Sequence, residues 1–435
     1  MTARASAGWL TAVAARAEAP VFLARGIGTA DADARLRASP RLRVLDSPRA
    51  AAVLVVAGCV PTELAEPLAR VHDQMAHPRA TVWWSGAGDS APPVGWSHAT
   101  IVGPRDDIEA AVVAAYRDVI TGARCSEQTL LPDVDPAPWR GVGPYGHGGT
   151  GMTGGIPYGR PMAGRGDDRR DGLTLDVVLA RIGPFFAHLP EGLVLEVTFA
   201  GDVVHDLTVK TPPVAGVDDL GARLPDDAVT ATMAPDRAVP VAAIELARAR
   251  QHLRWLARLL HLYGLDALAR LVATKALSVP REPQELTALA RRLERCWALG
   301  WATRGVGVID GVSAALWGGP VARAAGIPRD ARANSPVYAT LGFQPIVHAN
   351  GDNCDRWRQR LAEAAQAIEL AARAGTAVIE PGETIEPAAP PPPADFGDQL
   401  AALLIGTEWG DAVATIASLD PDVNAAGYLS KGATV

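Results

Sequence analysis

The sequence predicts an α/β unit built on a small parallel sheet, followed by an α+β unit dominated by a helix bundle. Two observations carry that reading. Short β-branched runs alternate with helical periodicity up to residue 122, and after an interruption the second half turns helical. The boundaries fall at 1–132 for the α/β unit, 133–172 for a Gly-rich linker or cavity loop, and 173–435 for the helical unit. With 435 residues, each unit is long enough to bury its own core.

In the first unit, "AAVLVVA" at 51–57 is a β-branched run bounded by Gly58. In the following "PTELAEPLARVHDQM", Leu64, Leu68 and Val71 recur at helical spacing, so strand, turn and helix succeed one another. "ATVWWSG" reads as the next strand, and "HATIVGP" leads into "DDIEAAVVAAYRDVITG", a helix with acids in its first turn. From Asp133 to Gly172 the periodicity stops, with a long Gly-rich stretch at 141–172.

In the second unit, "GLVLEVTFA" and "DVVHDLTVK" meet at Gly201 and Asp202 and predict a β-hairpin. The run 240–273 reads as a bundle helix, with Leu253, Leu256, Leu260 and Tyr263 on one face and Arg250, Arg254 and Arg258 on another. Further helices are expected over 283–299, 354–374 and 397–419, and a Pro-rich insert lies near 380–394.

Composition excludes several classes. A net charge of −7 argues against a nucleic-acid partner. The apolar runs are far shorter than the roughly 20 residues that cross a bilayer, so the chain is expected to be soluble or to sit on a membrane through partners. The N-terminus does not read as a signal peptide, which makes the cytoplasm the default compartment. Cys59, Cys125, Cys296 and Cys354 form no CxxC pair and are expected to be reduced thiols, with Cys59 a small core residue. Tryptophan, abundant among the few aromatics, suggests packed interfaces.

Three motifs invite chemistry. "GHGGTG" at 146–151 lacks the Lys and Ser/Thr of a P-loop, so a linker or cavity-lining loop is favoured over nucleotide binding. His348, Asp352 and Cys354 are three candidate metal ligands at no familiar spacing, and helix capping by Asp352 or Asn353 is the favoured reading. Asp167 and Asp168 stand among Arg165, Arg169 and Arg170 as a solvated charge cluster.

"SPRAAAVLVVAGCVPTELAEPLARVHDQM" resembles the core of the B-type subunit of complex I (NADH:quinone oxidoreductase) and of the related group 4 nickel–iron hydrogenases, the small subunit that holds a tetranuclear iron–sulfur cluster. From about Asp171 the chain resembles the D-type subunit of complex I, itself akin to the hydrogenase large subunit. The residues that carry this second resemblance are "VPVAAIELARARQHLRWLARLLHLYG", "TRGVGVID", "WGGPVARAAG", "NGDNCDRWRQRLAEAAQAIEL" and "GDAVATIASLD", in the family's order.

The resemblance implies a fusion of B-like and D-like parts. The family's cluster cysteines would fall at "ARGIGTA" (24–30), "SGAGD" (85–89) and "VGPRDD" (102–107), none of which contains a cysteine. The CxxC pairs that hold nickel in hydrogenases are missing as well. The expectation is no cofactor in this chain, with quinone possible. In "GPFFAHLPEGLVLEV", Ala187 and Glu191 take the histidine positions of the family's quinone loop, and His188 is displaced by one. His188, Glu191 and His147 are therefore the quinone-cavity candidates. The implied role is a peripheral-arm subunit on the cytoplasmic side of a membrane, redox-inactive and structural or coupling, with multi-span antiporter-like subunits and other complex I-like subunits as partners. The alternatives are an oxidoreductase subunit that binds quinone or another small acceptor, and a repurposed pocket around the Gly-rich loop.

Overall fold

A strand enters the interior when apolar side chains line both of its faces, and of the five strands that organise the first part of the chain the inner three are of this kind. The computed structural model describes residues 2–26, 31–84, 92, 95–103, 105–133, 164–165, 175–210, 238–381, 393–421 and 423. Strands β1 (Ala19–Arg25), β2 (Leu42–Leu45), β3 (Val53–Ala57), β4 (Ala80–Trp84) and β5 (Thr100–Val102) form one parallel sheet in the order β2-β1-β3-β4-β5. Helices α1 (Thr2–Ala14), α2 (Ala32–Ala38), α3 (Ala65–Asp73) and α4 (Ile108–Thr121) connect or flank it.

The strands alternate their side chains between two cores, as the period of two requires. Val21, Leu23, Val53, Val55, Val82 and Trp84 face Val112 and Tyr116 of α4. Phe22, Leu54, Val56 and Trp83 face Leu68, Met75 and Trp96. Asp107 caps α4 by accepting from the Ala110 N–H at 3.0 Å, and left-handed Gly122 ends it. The strands and helices expected between 51 and 122 are therefore present. β1 and β2 escape the sequence reading because "APVFLAR" contains a proline and only one β-branched residue, and β2 has four residues.

The second part opens with an antiparallel sheet in the order β6-β7-β8-β9, from β6 (Gly164–Arg165), β7 (Asp176–Ile182), β8 (Val194–Ala200) and β9 (Val203–Lys210). The expected hairpin is β8–β9, turning at Gly201 with φ +64°. Helix α5 (Val241–Leu262) runs through the centre, surrounded by α6 (Asp266–Leu277), α7 (Pro283–Glu294), α8 (Trp297–Thr303), α9 (Gly311–Trp317), α10 (Gly319–Ala324), α11 (Pro336–Thr340), α12 (Asn353–Arg373), α13 (Phe396–Leu404) and α14 (Trp409–Leu419). A two-residue pair, β10 (Val239–Pro240) and β11 (Val378–Ile379), ties the start of α5 to the segment after α12. Most of the Pro-rich insert, residues 382–392, lies outside the described residues.

Three helix expectations need correction. The helices read over 240–273, 283–299 and 397–419 are each two: the first and last break where Gly264 (φ +69°) and Gly406 (φ +87°) take left-handed backbone that terminates a helix, and the second breaks at Arg295 and Cys296, between α7 and α8. The arginine face of α5 turns inward: Arg254 is buried against Asp31, and Arg258 pairs with Asp420 at 2.9 Å. Tryptophan divides in two, since Trp83, Trp255, Trp317 and Trp357 are fully buried whereas Trp9, Trp297 and Trp301 lie exposed. No helix among the described residues is long and apolar enough to cross a membrane.

The two parts share side chains. Phe185, from the loop after β7, sits in the core of the parallel sheet, and Ala34 of α2 packs among Leu253, Leu256 and Leu260 of the helical core.

Candidate functional site

In a sheet of this order the chain reverses direction between β1 and β3, which leaves a crevice at the carboxyl ends of those strands. The loop 183–193 docks there. Gly183 (φ +98°) fixes the turn into it, and a Cβ at that position would collide with the Leu193 carbonyl. Phe185 enters the sheet core while Leu189 enters the core beneath the antiparallel sheet, so the loop is pinned on both sides. Arg25, at the end of β1, donates to the Ala187 carbonyl at 3.1 Å and the Leu189 carbonyl at 2.6 Å, and its guanidinium stands 4.0 Å from Glu191.

His188 and Glu191, the two described candidates, thus come to one interface. His188 Nε2 lies 3.2 Å from Oδ1 of Asp46, a residue just past β2. The same oxygen is 2.7 Å from Nε2 of His261, near the end of α5, whose Nδ1 lies 2.6 Å from Asp266. A neutral imidazole has one N–H, so both contacts of His261 are hydrogen bonds at once only when the ring is protonated. Burial would raise the Asp46 carboxyl, but the hydrogen bonds from His188 and His261 outweigh it and hold that group below the usual carboxylate range.

Charge is dense around this point. Burial lowers the Arg25 pKa against the pull of Glu191. Burial opposes ionisation of Asp33 too, yet Arg37 at 2.6 Å holds its carboxyl at about 2. A cleft of about 250 Å³ opens beside His261, lined by Arg37, Leu42, Val44, Asp266 and Arg270. Asp46 thus joins His188 and His261 in one hydrogen-bonded group that continues to Asp266.

Along the same carboxyl edge β1 ends at Arg25, β4 at Trp84 and β5 at Val102, at or just before the three stretches that the resemblance aligns with the family's cluster cysteines. Residues 27–30, 85–91 and 104 lie outside the described residues, as do His147, Asp167, Asp168 and all of 141–172 except 164–165. Cys59 follows β3 at this edge, half-buried, and burial raises its thiol pKa. The backbone segments approach closely here: Gly26 donates its N–H to the Ala57 carbonyl at 2.8 Å, and a Cβ on Gly26 would strike the Cys59 carbonyl.

The remaining motif takes its capping reading. Asp352 caps α12 by accepting from the Asp355 N–H at 2.8 Å, and it also holds the Gly305 N–H. Cys354 is core, and His348 bonds Gln359 at 2.8 Å. Among the described residues no group of three or more His, Cys, Asp or Glu is placed to hold a metal ion.

Sequence reasoning missed Arg25, Asp46 and His261, and it missed a buried ionic network inside the bundle. Arg323 grips Glu363 with two bonds of 2.6 and 3.0 Å and reaches Asp330 at 3.1 Å. Arg332 bridges Asp330 (2.9 Å) and Glu245 (3.0 Å), while Tyr338 donates to Glu245 at 2.6 Å. Arg248 lies 3.5 Å from Glu245, and His252 lies 3.3 Å from Glu363. Three guanidinium groups thus face three carboxylates in the interior, a balance that makes burial of each tolerable. Desolvation drives the His252 pKa down to about 4, with Glu363 resisting. Glu245, Arg248 and His252, at spacings of three and four along an apolar helix, were the signal available in the sequence.

Residues 283–406 match the family model described as "Respiratory-chain NADH dehydrogenase, 49 Kd subunit". The D-type subunit of NADH-quinone oxidoreductase from Anaplasma marginale is 42% identical over 76 residues, which is 16% of this chain and 19% of that protein. The D-type subunit numbered 2 of Chloroflexus aurantiacus is 36% identical over 111 residues, 23% of this chain and 27% of that protein. The chain therefore spans about a fifth to a quarter of the length of these curated relatives. A chain from the membrane-bound sulfane sulfur reductase, an archaeal respiratory membrane complex, aligns at TM-score 0.43 and 16% identity over 56% of this chain and 96% of that one, too slight a likeness to bear on fold. Arg323, Asp330, Arg332, Tyr338 and Glu363 lie in the matched segment, whereas the parallel sheet and the loop 183–193 lie outside it. Over residues 283–406 the chain is like the D-type, 49 kDa subunit of NADH-quinone oxidoreductase.

Proposed function

We propose that the chain is a peripheral-arm subunit of a complex I-related or group 4 hydrogenase-related membrane assembly, in which its B-like and D-like parts are fused and its role is structural or coupling rather than redox. The match over residues 283–406 carries the reading. It is supported by the docking of loop 183–193 on the carboxyl edge of a parallel sheet whose cluster positions, as the resemblance aligns them, contain no cysteine. Iron in a tetranuclear cluster requires about four thiolates in one pocket, and Cys59 supplies one at this edge. The partners would be multi-span antiporter-like subunits and other complex I-like subunits, on the cytoplasmic side.

A second reading rests on one observation. His188, Asp46 and His261 form a hydrogen-bonded group beside the loop. Such a group suits a subunit that binds quinone, or another small acceptor, and delivers protons to it.

Purification of the assembly from native membranes in mild detergent, with mass spectrometry of the co-purifying chains and iron and sulfide analysis of the separated polypeptide, tests both readings. Multi-span subunits in the eluate with no iron on this chain are expected. Stoichiometric iron on this chain would overturn the redox-inactive role, and a chain that emerges alone would overturn the assembly. Extracted quinone that disappears in His188→Ala would favour the second reading.

A further inference from the structure

Two consecutive short helices turn large apolar side chains into solvent. Trp297 and Trp301, four residues apart on α8, are 81% and 80% exposed. On α9, Val312 and Leu316 repeat that spacing at 80% and 57% exposure, and Val308 precedes them at 53%. The inward residues of the same helices, Leu299, Ala314 and Trp317, are fully buried, so each helix is anchored in the bundle with its other face free.

The charge around these tryptophans runs against that of the chain. Arg291, Arg292, Arg295 and Arg304 are all exposed, within a protein whose net charge is −7. The acid among them, Glu294, is gripped by Arg358 through two contacts of 2.7 Å. Asp310, beyond them, is used in capping α9, where it accepts from the Val312 and Ser313 N–H groups. Arg304 folds back along α8, its guanidinium 3.5 Å from where a Cβ on Gly300 would stand, which sets a cation beside the helix turn that carries both tryptophans.

Apolar faces of this kind mark interaction sites, and their chemistry narrows the partner. Indole rings settle at the level of lipid headgroups, and arginines at that depth meet phosphate. Helices of seven residues cannot span, but they lie well in the plane of an interface. We propose that α8 and α9, with Arg291, Arg292, Arg295 and Arg304, seat this chain directly on an anionic bilayer surface. The contact requires no partner subunit and stands apart from the assembly reading.

Flotation of the purified full-length chain with vesicles of phosphatidylcholine, with and without a third of phosphatidylglycerol, tests it. The wild-type chain is expected to float with the anionic vesicles and to be released by high salt. W297S/W301S and R292Q/R295Q should each lower partitioning at least about tenfold, while W297F/W301F retains it. Unchanged circular dichroism and thermal unfolding establish that the variants fold. No flotation of the wild-type chain, or equal flotation of W297S/W301S, would overturn the proposal. So would loss of co-purifying membrane subunits in W297S/W301S when the wild-type chain ignores vesicles, because the face would then belong to a protein. Failure of the assembly reading leaves the vesicle result intact.

Discussion

His252 is enclosed on every side and kept neutral by desolvation, with a folded pKa of about 4 against about 6.5 when unfolded. Between those values the unfolded chain binds the extra proton, so the stability this residue contributes is complete above about pH 6.5 and is lost as pH falls toward 4, on the order of 3 kcal/mol in all. Urea midpoints measured from pH 7.5 to 4.5 should decline accordingly, and His252→Gln should flatten that part of the profile. Glu363 is its neighbour and the hub of the network. Glu363→Gln leaves Arg323 with half its bidentate grip, and a loss of about 3–5 kcal/mol is expected in chemical denaturation. Asp46 has a lesser structural part, being half-exposed, but it joins the loop to α5. Asp46→Asn should cost about 1–2 kcal/mol, and it should shift the imidazole proton resonances of His188 and His261 together. A change confined to one ring would show that the two do not share the carboxylate.

Helix α12 is set by the residue that precedes it. Asp352 satisfies the Asp355 N–H and, across the chain, the Gly305 N–H, so Asp352→Ala should lower stability by about 1–2 kcal/mol in thermal or urea unfolding. This element was legible beforehand because a capping residue precedes a strongly periodic run. So were the β8–β9 hairpin and the order β3, α3, β4, β5, α4, where local pattern and final burial agree. β1 was not, since "APVFLAR" contains a proline and a single β-branched residue, and so lacks the β-branched run that marks the equally buried β3. Nor were the breaks at Gly264 and Gly406, whose flanking helices continue the same apolar character. At the candidate site, His188 and Glu191 were reached by resemblance to a loop. Their partners Arg25, Asp46 and His261 come from three other elements, a convergence that only the tertiary fold creates.

The molecule as a whole carries acid sensitivity in both of its parts. Burial opposes ionisation of both Asp33 and Glu363, but Arg37 holds the former at about 2, and Arg323 with His252 holds the latter well below its ordinary range. Both carboxylates therefore stabilise the folded chain above about pH 4 and cease to as pH falls through their folded values, Asp33 alone by about 2 kcal/mol. Acid unfolding should accordingly expose the parallel sheet and the bundle in one step.

That expectation follows from an exchange of side chains. Because Phe185 completes the core of the sheet and Ala34 that of the helices, neither piece owns a finished interior. A gene split between residues 133 and 175 should consequently yield two polypeptides that aggregate when made separately and reconstitute a single particle when made together, as the halves of a complementing enzyme do. The covalent link would then be a convenience of synthesis, and the true joint would be the non-covalent one.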